Sequence, residues 1–450
     1  MTGLPQPVVA RPLSGLAGFR LWSRAILRDF LDRPGTVRII AVLLGYLGLS
    51  LGIERRLGQR LSLLAHRLSL RLQAGPEPTP LQARIEGAIK AALPSGTFTQ
   101  AAWRAAAPGL EEDLRRRAIV LKAPHRDPSG SVVERGVFLV TFTHLFGELT
   151  RSIDLLRLCR DYTLVLEPSW AGYALPEILQ FAEGDGPPVF VMATEERDYG
   201  LIDRFRPRLV PLPFGASNWV DPDVFRPHPD LPKRFDAVYI GFWGAVKRHH
   251  SLFRSLRALG DPGFRVALIG GAWEGKKEEV AALARWYGVL NQLEFYEQLS
   301  PAEVSQVVSQ AKVSVLLSRK EGSNRGLFES MFCDVPGLLV RENLGVRQGY
   351  LNEQTGRAVP EGELPEALRW FQEHWQQFTP RQWAMAHLAP EVTTAALNAA
   401  LREQSALSQE PWTTDCVPKV NRPEVTYLNP PDRHQLPPTG QVLSAHAGTS

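Results

Sequence analysis

The sequence predicts an α/β protein of two successive parallel-sheet domains with helices on their faces, preceded by a helical N-terminal extension and followed by a disordered tail. Three observations predict it. Short β-branched or aromatic runs bounded by turn residues recur through the middle of the 450-residue chain, with helical segments between them, the alternation a parallel sheet requires. The series restarts after "HPDLPKRFD" (His228–Asp236), so one sheet does not hold all the strands. The first 75 residues stand apart by charge, with 11 Arg, no Lys and only Asp29, Asp32 and Glu54 as acids, a net charge of about +8.

Residues 1–75 read as the Arg-rich helical extension. Inside it "IIAVLLGYLGLSLGI" (Ile39–Ile53) is apolar for about 15 residues, short of the ~18–20 that span a bilayer, and lies between Arg38 and Arg55. A spanning helix is therefore not expected. A hydrophobic helix packed on the body and a basic, amphipathic membrane-surface element within residues 20–72 both stand open. An Arg-rich, acid-poor start also suits a transit peptide, but no cleavage site is legible.

"AGPEPTP" (Ala74–Pro80) cannot continue a helix and opens a linker and helical segment over residues 76–115. Residues 116–230 form the first domain, with strands at "GVFLVTF", "YTLVLEP", "PVFVMAT" and "RLVPLPF". Residues 231–365 form the second, with strands at "AVYIGFWG", "FRVALIGGAW", "LEFYE", "KVSVLLS" and "PGLLV", separated by helices such as "KKEEVAALARWYGV" and "PAEVSQVVSQA". Residues 366–409 read as closing helices, and residues 410–450, rich in Pro and polar residues, as disordered.

A formal charge of +4, with Lys and Arg spread along the chain and no aromatic interleaving, argues against nucleic acid as a partner. Cys159, Cys333 and Cys416 lie far apart without a metal-ligand spacing, so neither a disulfide framework nor a metal is expected, and a reducing, cytoplasmic compartment fits. "DPD" (Asp221–Asp223) sits in a turn between the two domains and is not read as a metal motif.

"SRKEGSNRGLFESMFCDVP" (Ser318–Pro336) is the stretch that carries chemistry. The strand "KVSVLL" delivers it to the carboxyl edge of the sheet, where open α/β sheets bind ligands. A helix starting near Gly326 turns its amide groups and positive dipole end toward that crevice, which suits a phosphate or diphosphate. Glu329 then falls in the first helical turn, where a carboxylate is stabilised and can accept hydrogen bonds from a vicinal diol. Glu321, earlier in the loop, can reach sugar hydroxyls. Gly326 as N-cap with Glu329 three residues on is equally a capping box.

In this context the chain resembles the retaining group 1 glycosyltransferases (family 4-like) of the GT-B fold, whose signature is a Glu, seven residues, Glu loop before a small-residue helix. "EGSNRGLFESMFCDVPGLLV" stands in that place. "YIGFWGAVKRHHSLFRSLRAL" looks like the family's Gly-x5-Lys element, "VALIGGAW" like the following strand and Gly turn, and "NEQTGRAVP" (Asn352–Pro360) like its closing turn. "VPLPFGASNWVDPDVFRP" resembles its hinge. The likeness covers about residues 137–360 and is strongest over 237–360.

The resemblance implies two Rossmann-like domains facing a cleft, a nucleoside-diphosphate sugar held by the second and an acceptor held by the first, with no cofactor and no metal. Carried over residue by residue, Glu321 contacts the donor sugar, Glu329 binds the ribose, and Lys247, six residues after Gly241, neutralises the diphosphate as the sugar leaves. Gly270, Gly322, Ser323, Asn324, Gly326 and Leu327 line the donor. The chain departs from the pattern at two points: Phe242 stands where the family has Arg, and Ser323, Asn324 and Arg325 replace Gly-Phe-Gly. Arg325, or Arg248 beside Lys247, is the candidate for the displaced cation, which makes Lys247, Glu321 and Arg325 the expected catalytic set.

In the first domain, His144 and Gly147 of "FTHLFGEL" and Glu167, Trp170 and Tyr173 of "EPSWAGY" follow strands and are candidates for the acceptor side, each with a packing role as the alternative. The expected function is transfer of a sugar, hexosyl or related, to an acceptor saccharide, lipid-linked sugar or other small molecule, in the cytoplasm or at the inner face of a membrane. The alternative is an inactive scaffold that holds a nucleotide sugar or a protein partner. An epimerase or phosphorylase on the same fold has no legible support.

Overall fold

The computed structural model describes residues 4–106, 110–422 and 424–448. The chain begins with α1 (Gly15–Leu31), α2 (Pro34–Leu51), α3 (Arg56–Ser69), α4 (Pro80–Ala92), α5 (Thr97–Ala105) and α6 (Glu111–Arg117). Then come β1 (Ala118–Lys122), β2 (His125–Arg126), β3 (Val132–Glu134), β4 (Gly136–Thr141), α7 (Phe146–Ser152), α8 (Leu155–Asp161), β5 (Tyr162–Glu167), α9 (Pro176–Leu179), β6 (Val189–Met192), α10 (Glu196–Asp203) and β7 (Leu209–Leu212).

The second series is β8 (Phe235–Ile240), α11 (His249–Leu259), β9 (Val266–Gly270), α12 (Lys277–Tyr287), β10 (Leu293–Glu297), α13 (Pro301–Ser309), β11 (Ala311–Leu316), α14 (Arg325–Phe332), β12 (Gly337–Val340) and β13 (Gly356–Val359). It closes with α15 (Leu364–His374), α16 (Pro380–His387), α17 (Pro390–Leu407), β14 (Lys419–Asn421), β15 (Val425–Tyr427), α18 (Asp432–Gln435) and α19 (Thr439–Ala445).

The chain divides into two compact units, one of Met1–Arg33 with Val220–Ala389, the other of Pro34–Trp219 with Pro390–Ser450. Each is an α/β unit around one sheet. The 34–219 unit has the order β1-β4-β5-β6-β7, in which β1 is antiparallel to β4 and the rest are parallel. The 220–389 unit has a six-stranded, all-parallel sheet, β10-β9-β8-β11-β12-β13. β4 is buried at every position, and β8 at all but its last, as continuous apolar strands covered on both faces must be.

The expected fold class holds, and individual elements sharpen it. The linker ends in a capping box, Thr79 with Gln82 around Pro80, which fixes the start of α4. The extension is divided: α1 lies with the 220–389 unit, packed on α12 through Gly18, and α2 and α3 form an antiparallel pair in the other. The closing helices divide at Ala389 and Pro390 in the same way. "NEQTGRAVP", expected as a closing turn, supplies the edge strand β13, which starts at Gly356 because a side chain there would strike the carbonyl oxygen of Gly337.

The expectation of a disordered tail from Glu410 is corrected. Residues 410–448, Pro423 aside, form β14, β15, α18 and α19 and belong to the 34–219 unit. Val442 and Leu443 are in its core, the Val417 amide donates to the Leu121 carbonyl at 2.9 Å, and Lys419, fully buried, reaches Glu167 Oε2 at 2.7 Å. A few anchors far apart in sequence order the segment, and such anchors leave no hydrophobic period to read.

Candidate active site

In the six-stranded sheet the chain runs from β8 outward through β9 to β10, then returns so that β11 lies against the other side of β8. This reversal is a topological switch point, and the crevice beyond the carboxyl ends of β8 and β11 is where such sheets bind ligands. The two loops that emerge there carry Lys247, before α11, and Glu321, between β11 and α14.

The structure brings these two residues together. Lys247 Nζ donates to Glu321 Oε1 at 2.6 Å, and both side chains are largely buried, 7% and 6% exposed. Ser318 Oγ donates to the same oxygen at 2.5 Å. Among the described residues Glu321 Oε2 has no hydrogen-bond partner and the ammonium, which can donate three bonds, has Glu321 as its one oxygen partner. Both groups therefore keep bonding capacity at the crevice.

Local sequence explains the position of each. A Cβ on Gly241 would lie 3.0 Å from the Lys247 side chain, so the glycine makes room for its stem. Phe242 stands 5.1 Å below the ammonium, ring to nitrogen, and contributes a cation–π contact where the family pattern has a second cation. The loop after β11 is zipped to residues 343–344: the Glu321 amide donates to the Leu344 carbonyl at 2.8 Å, and Asn343 Nδ2 to that of Ser318 at 2.7 Å. Gly345, at φ +108°, permits this approach, since a Cβ there would sit 2.2 Å from the Glu321 carbonyl oxygen.

α14 starts differently from the sequence expectation. Asn324, not Gly326, is the N-cap, its side chain accepting from the Leu327 amide at 2.9 Å, and the helix begins at Arg325. Gly326 has a packing role: a Cβ would stand 3.0 Å from Ile240 Cβ, so the bare backbone lets the first turn approach the end of β8. Glu329 consequently lies in the second turn and makes no capping box; its Oε1 accepts from Arg325 Nη2 at 2.9 Å. Arg325 is thus tied to its own helix by an i,i+4 pair. Gly322 and Ser323 are half-buried between Glu321 and the N-cap.

Two other expectations are corrected. Arg248 is 2% exposed and faces away from the glutamate of Lys247: it pairs with Asp29 Oδ1 at 2.6 Å and with Glu361 Oε1 at 2.7 Å, so it fastens α1 and the stretch before α15 onto α11. Glu361 also receives Arg254, Arg319 and Ser251; burial alone would raise its pKa, but Arg248, Ser251 and Arg319 hold the carboxyl down at about 2. Gly270 accommodates Trp243, whose ring a Cβ there would meet at 2.5 Å. Trp243 in turn donates to Glu297.

In the 34–219 unit the acceptor-side candidates separate. Glu167 is sealed, with Oε2 on Lys419 and Oε1 on Asn421 Nδ2 at 3.0 Å. Tyr173 is a core residue whose hydroxyl donates to the Met192 carbonyl at 2.8 Å. Gly147 lets α7 pack on α5, because a Cβ would lie 2.5 Å from the Ala102 carbonyl. His144, exposed and edge-on to Phe142, and the half-buried Trp170 remain at the surface on loops tied together by Thr143 and Ser169. Asp221 turns its Oδ1 to the amides of Asp223 and Val224, a turn-forming role for "DPD". Burial raises the thiols of Cys159, Cys333 and Cys416 to about 11 and 12, which makes them inert.

The family description "Glycosyl transferases group 1" matches residues 222–375, about a third of the chain, and the match contains both loops of the crevice. Residues 222–375 form a group 1 glycosyltransferase domain. A comparison with curated proteins returned no match. Among solved structures the chain is similar to sucrose-phosphate synthase from Thermosynechococcus elongatus, at 16% identity over 60% of this chain and 73% of that one, TM-score 0.48. It is also similar to TarM of S. aureus, a complex with UDP, at 12% identity over 59% and 55%, TM-score 0.47, and to HepE of Anabaena with UDP-glucose, at 14% identity over 54% and 72%, TM-score 0.43. The chain spans just over half the length of TarM. In the transferase domain, sequence reasoning missed Ser318, Asn343 and Gly345; Ser318 lay inside the quoted loop, whereas nothing in "ENLGVRQG" signalled the other two.

Proposed function

We propose that the protein is a glycosyltransferase that moves a sugar, hexosyl or related, from a nucleoside-diphosphate sugar to a hydroxyl of a saccharide, a lipid-linked sugar or another small molecule. Retention of anomeric configuration and independence of metal and cofactor belong to the proposal. So do a cytoplasmic location and peripheral contact with the inner face of a membrane within residues 20–72. The observation that carries the reading is the Lys247–Glu321 pair at the switch point, with bonding capacity left on both groups.

In the transfer the bond from the sugar C1 to the diphosphate oxygen breaks, its electron pair stays on the diphosphate, and the acceptor oxygen bonds to C1 as its proton passes to the departing diphosphate. A fixed ammonium beside the departing oxygen stabilises charge that develops only in the transition state, so it raises the rate rather than merely tightening binding. Glu321 Oε2 accepts from a donor-sugar hydroxyl, Glu329 from the ribose diol, and the positive end of α14 with Arg325 faces the diphosphate.

Phe242 favours a second reading, a scaffold that holds a nucleotide sugar or a protein partner without transfer, since it replaces an expected cation. Turnover separates the two. With folding verified by circular dichroism, Lys247→Ala and Glu321→Ala are each expected to lower sugar transfer or donor hydrolysis by about a hundredfold or more. Unchanged turnover in both variants overturns the mechanism, and a wild-type protein that binds donor without turnover establishes the scaffold.

A further inference from the structure

α2 is built inside out. Its inward face is Val37, Ala41, Gly45 and Gly48, small enough that Gly48 meets Ser62 of α3 and Gly45 meets Leu81 of α4 backbone-close. Its outward face is Ile39, Val42, Leu43, Tyr46 and Leu47, large apolar side chains at helical spacing, with Ile39 63% and Leu43 65% exposed. Water is a poor solvent for such a row, which runs most of a helix about 27 Å long.

The surroundings indicate what covers it. Exposed Arg38 stands at one end of the row, and Arg55, Arg56 and Arg60 follow it at the start of α3, where Leu57 is also exposed. Arg84 of α4 lies over the Tyr46 ring at 5.0 Å. Glu54 is the only acid on α2, α3 and their turn. A second copy docked by a two-fold axis would set these arginines against each other, which disfavours self-association. By length and composition α2 is able to cross a membrane. Its pairing with α3 opposes that, because Arg56, Arg60 and Arg67 would have to enter hydrocarbon with it, and α3 is fastened to its own unit by the buried His66–Glu86 contact, which Arg204 also joins.

We propose that the outward face of α2 is seated in an anionic lipid surface, the helix lying in the plane of the interface with its apolar row among the acyl chains and Arg38, Arg55, Arg56, Arg60 and Arg84 among the headgroups. This deepens, and so rests on, the peripheral membrane contact proposed above; it is independent of sugar transfer. Apolar insertion supplies most of the attraction and the arginines select the charge of the surface.

The test is flotation of the full-length protein with phosphatidylcholine vesicles, with and without phosphatidylglycerol, read beside donor binding in the same preparations. The wild type is expected to float with the anionic vesicles and to be released in part by salt. The double variant Leu43→Glu, Leu47→Glu should lose partition by about tenfold or more at unchanged melting temperature and donor binding. Replacing Arg55, Arg56 and Arg60 by Gln should abolish the preference for anionic vesicles. Three results would overturn the proposal: no flotation of the wild type, equal flotation of the Leu variant, or a concentration-dependent dimer that the Leu variant disrupts. Loss of donor binding in the wild type would count against the transferase reading and leave the lipid contact standing.

Discussion

Each sheet of this protein delivers a buried glutamate to its carboxyl edge, each glutamate meets a lysine, and the two pairs differ in what is left over. At the end of β5 both oxygens of Glu167 are taken, by Lys419 and Asn421, and Lys419 is walled in against Trp219, 4.4 Å from its ring. After β11, Glu321 uses one oxygen for Lys247 and Ser318 and keeps the other. The sheets differ to match: β4 to β7 succeed one another in a single direction, whereas β8 and β11 enclose a switch point. A similar ion pair is a fastening where the chain closes over it and, in the function proposed here, a ligand site where the topology leaves a crevice.

Stability should separate the pairs most sharply. Lys419→Ala leaves Glu167 buried without its cation and is expected to destabilise the 34–219 unit by about 3–5 kcal/mol in urea unfolding, as breaking a buried pair does. Lys247→Ala, which leaves Glu321 its bond from Ser318, should cost clearly less stability and express itself in turnover. Equal losses of stability in the two variants would erase the distinction.

The next effect is on affinity. Arg325→Ala removes the partner of Glu329 and the candidate replacement for the cation absent at Phe242, so donor affinity measured by calorimetry should weaken severalfold, by about 1 kcal/mol. Unchanged affinity would reduce Arg325 to a helix-surface residue.

A separate effect is on pH dependence within the transferase domain. Burial, with His250 and Lys247 adding to it, holds His249 neutral with a pKa lowered to about 3. The unfolded chain therefore binds this proton first, and stability falls as the pH drops from about 6.5 toward 3. His249→Phe should flatten the fall in melting temperature between pH 7 and pH 5; an unchanged slope would remove His249 from the account. Glu361 adds a separate loss at lower pH, because its depressed carboxyl stabilises the fold above about 4.5 and ceases to as the pH falls toward 2.

These contrasts follow how much of the molecule was legible in the sequence. The parallel strands were readable because both faces are buried and the runs are continuously apolar, and the loop between β11 and α14 because its chemistry is local. What escaped depends on contacts remote in sequence. Lys419 lies 252 residues from Glu167, in a Pro-rich segment whose composition mimics disorder, and its closure removed Glu167 from the acceptor candidates. Arg248 adjoins Lys247 in sequence but adopts φ +56° and turns to Asp29 and Glu361, which no spacing rule conveys. The N-cap error was avoidable, since Asn is a stronger cap than Gly and stood two residues earlier.

The central claim is that the crevice between β8 and β11 holds a nucleotide sugar through Lys247 and Glu321. The most direct measurement is isothermal calorimetry of the wild type and Glu321→Ala against uridine, guanosine and adenosine diphosphate sugars and their free diphosphates. The account predicts that at least one donor binds the wild type, and that the variant loses affinity for the intact donor while keeping its affinity for the corresponding diphosphate. Binding of no donor, or equal loss for donor and diphosphate, would contradict it.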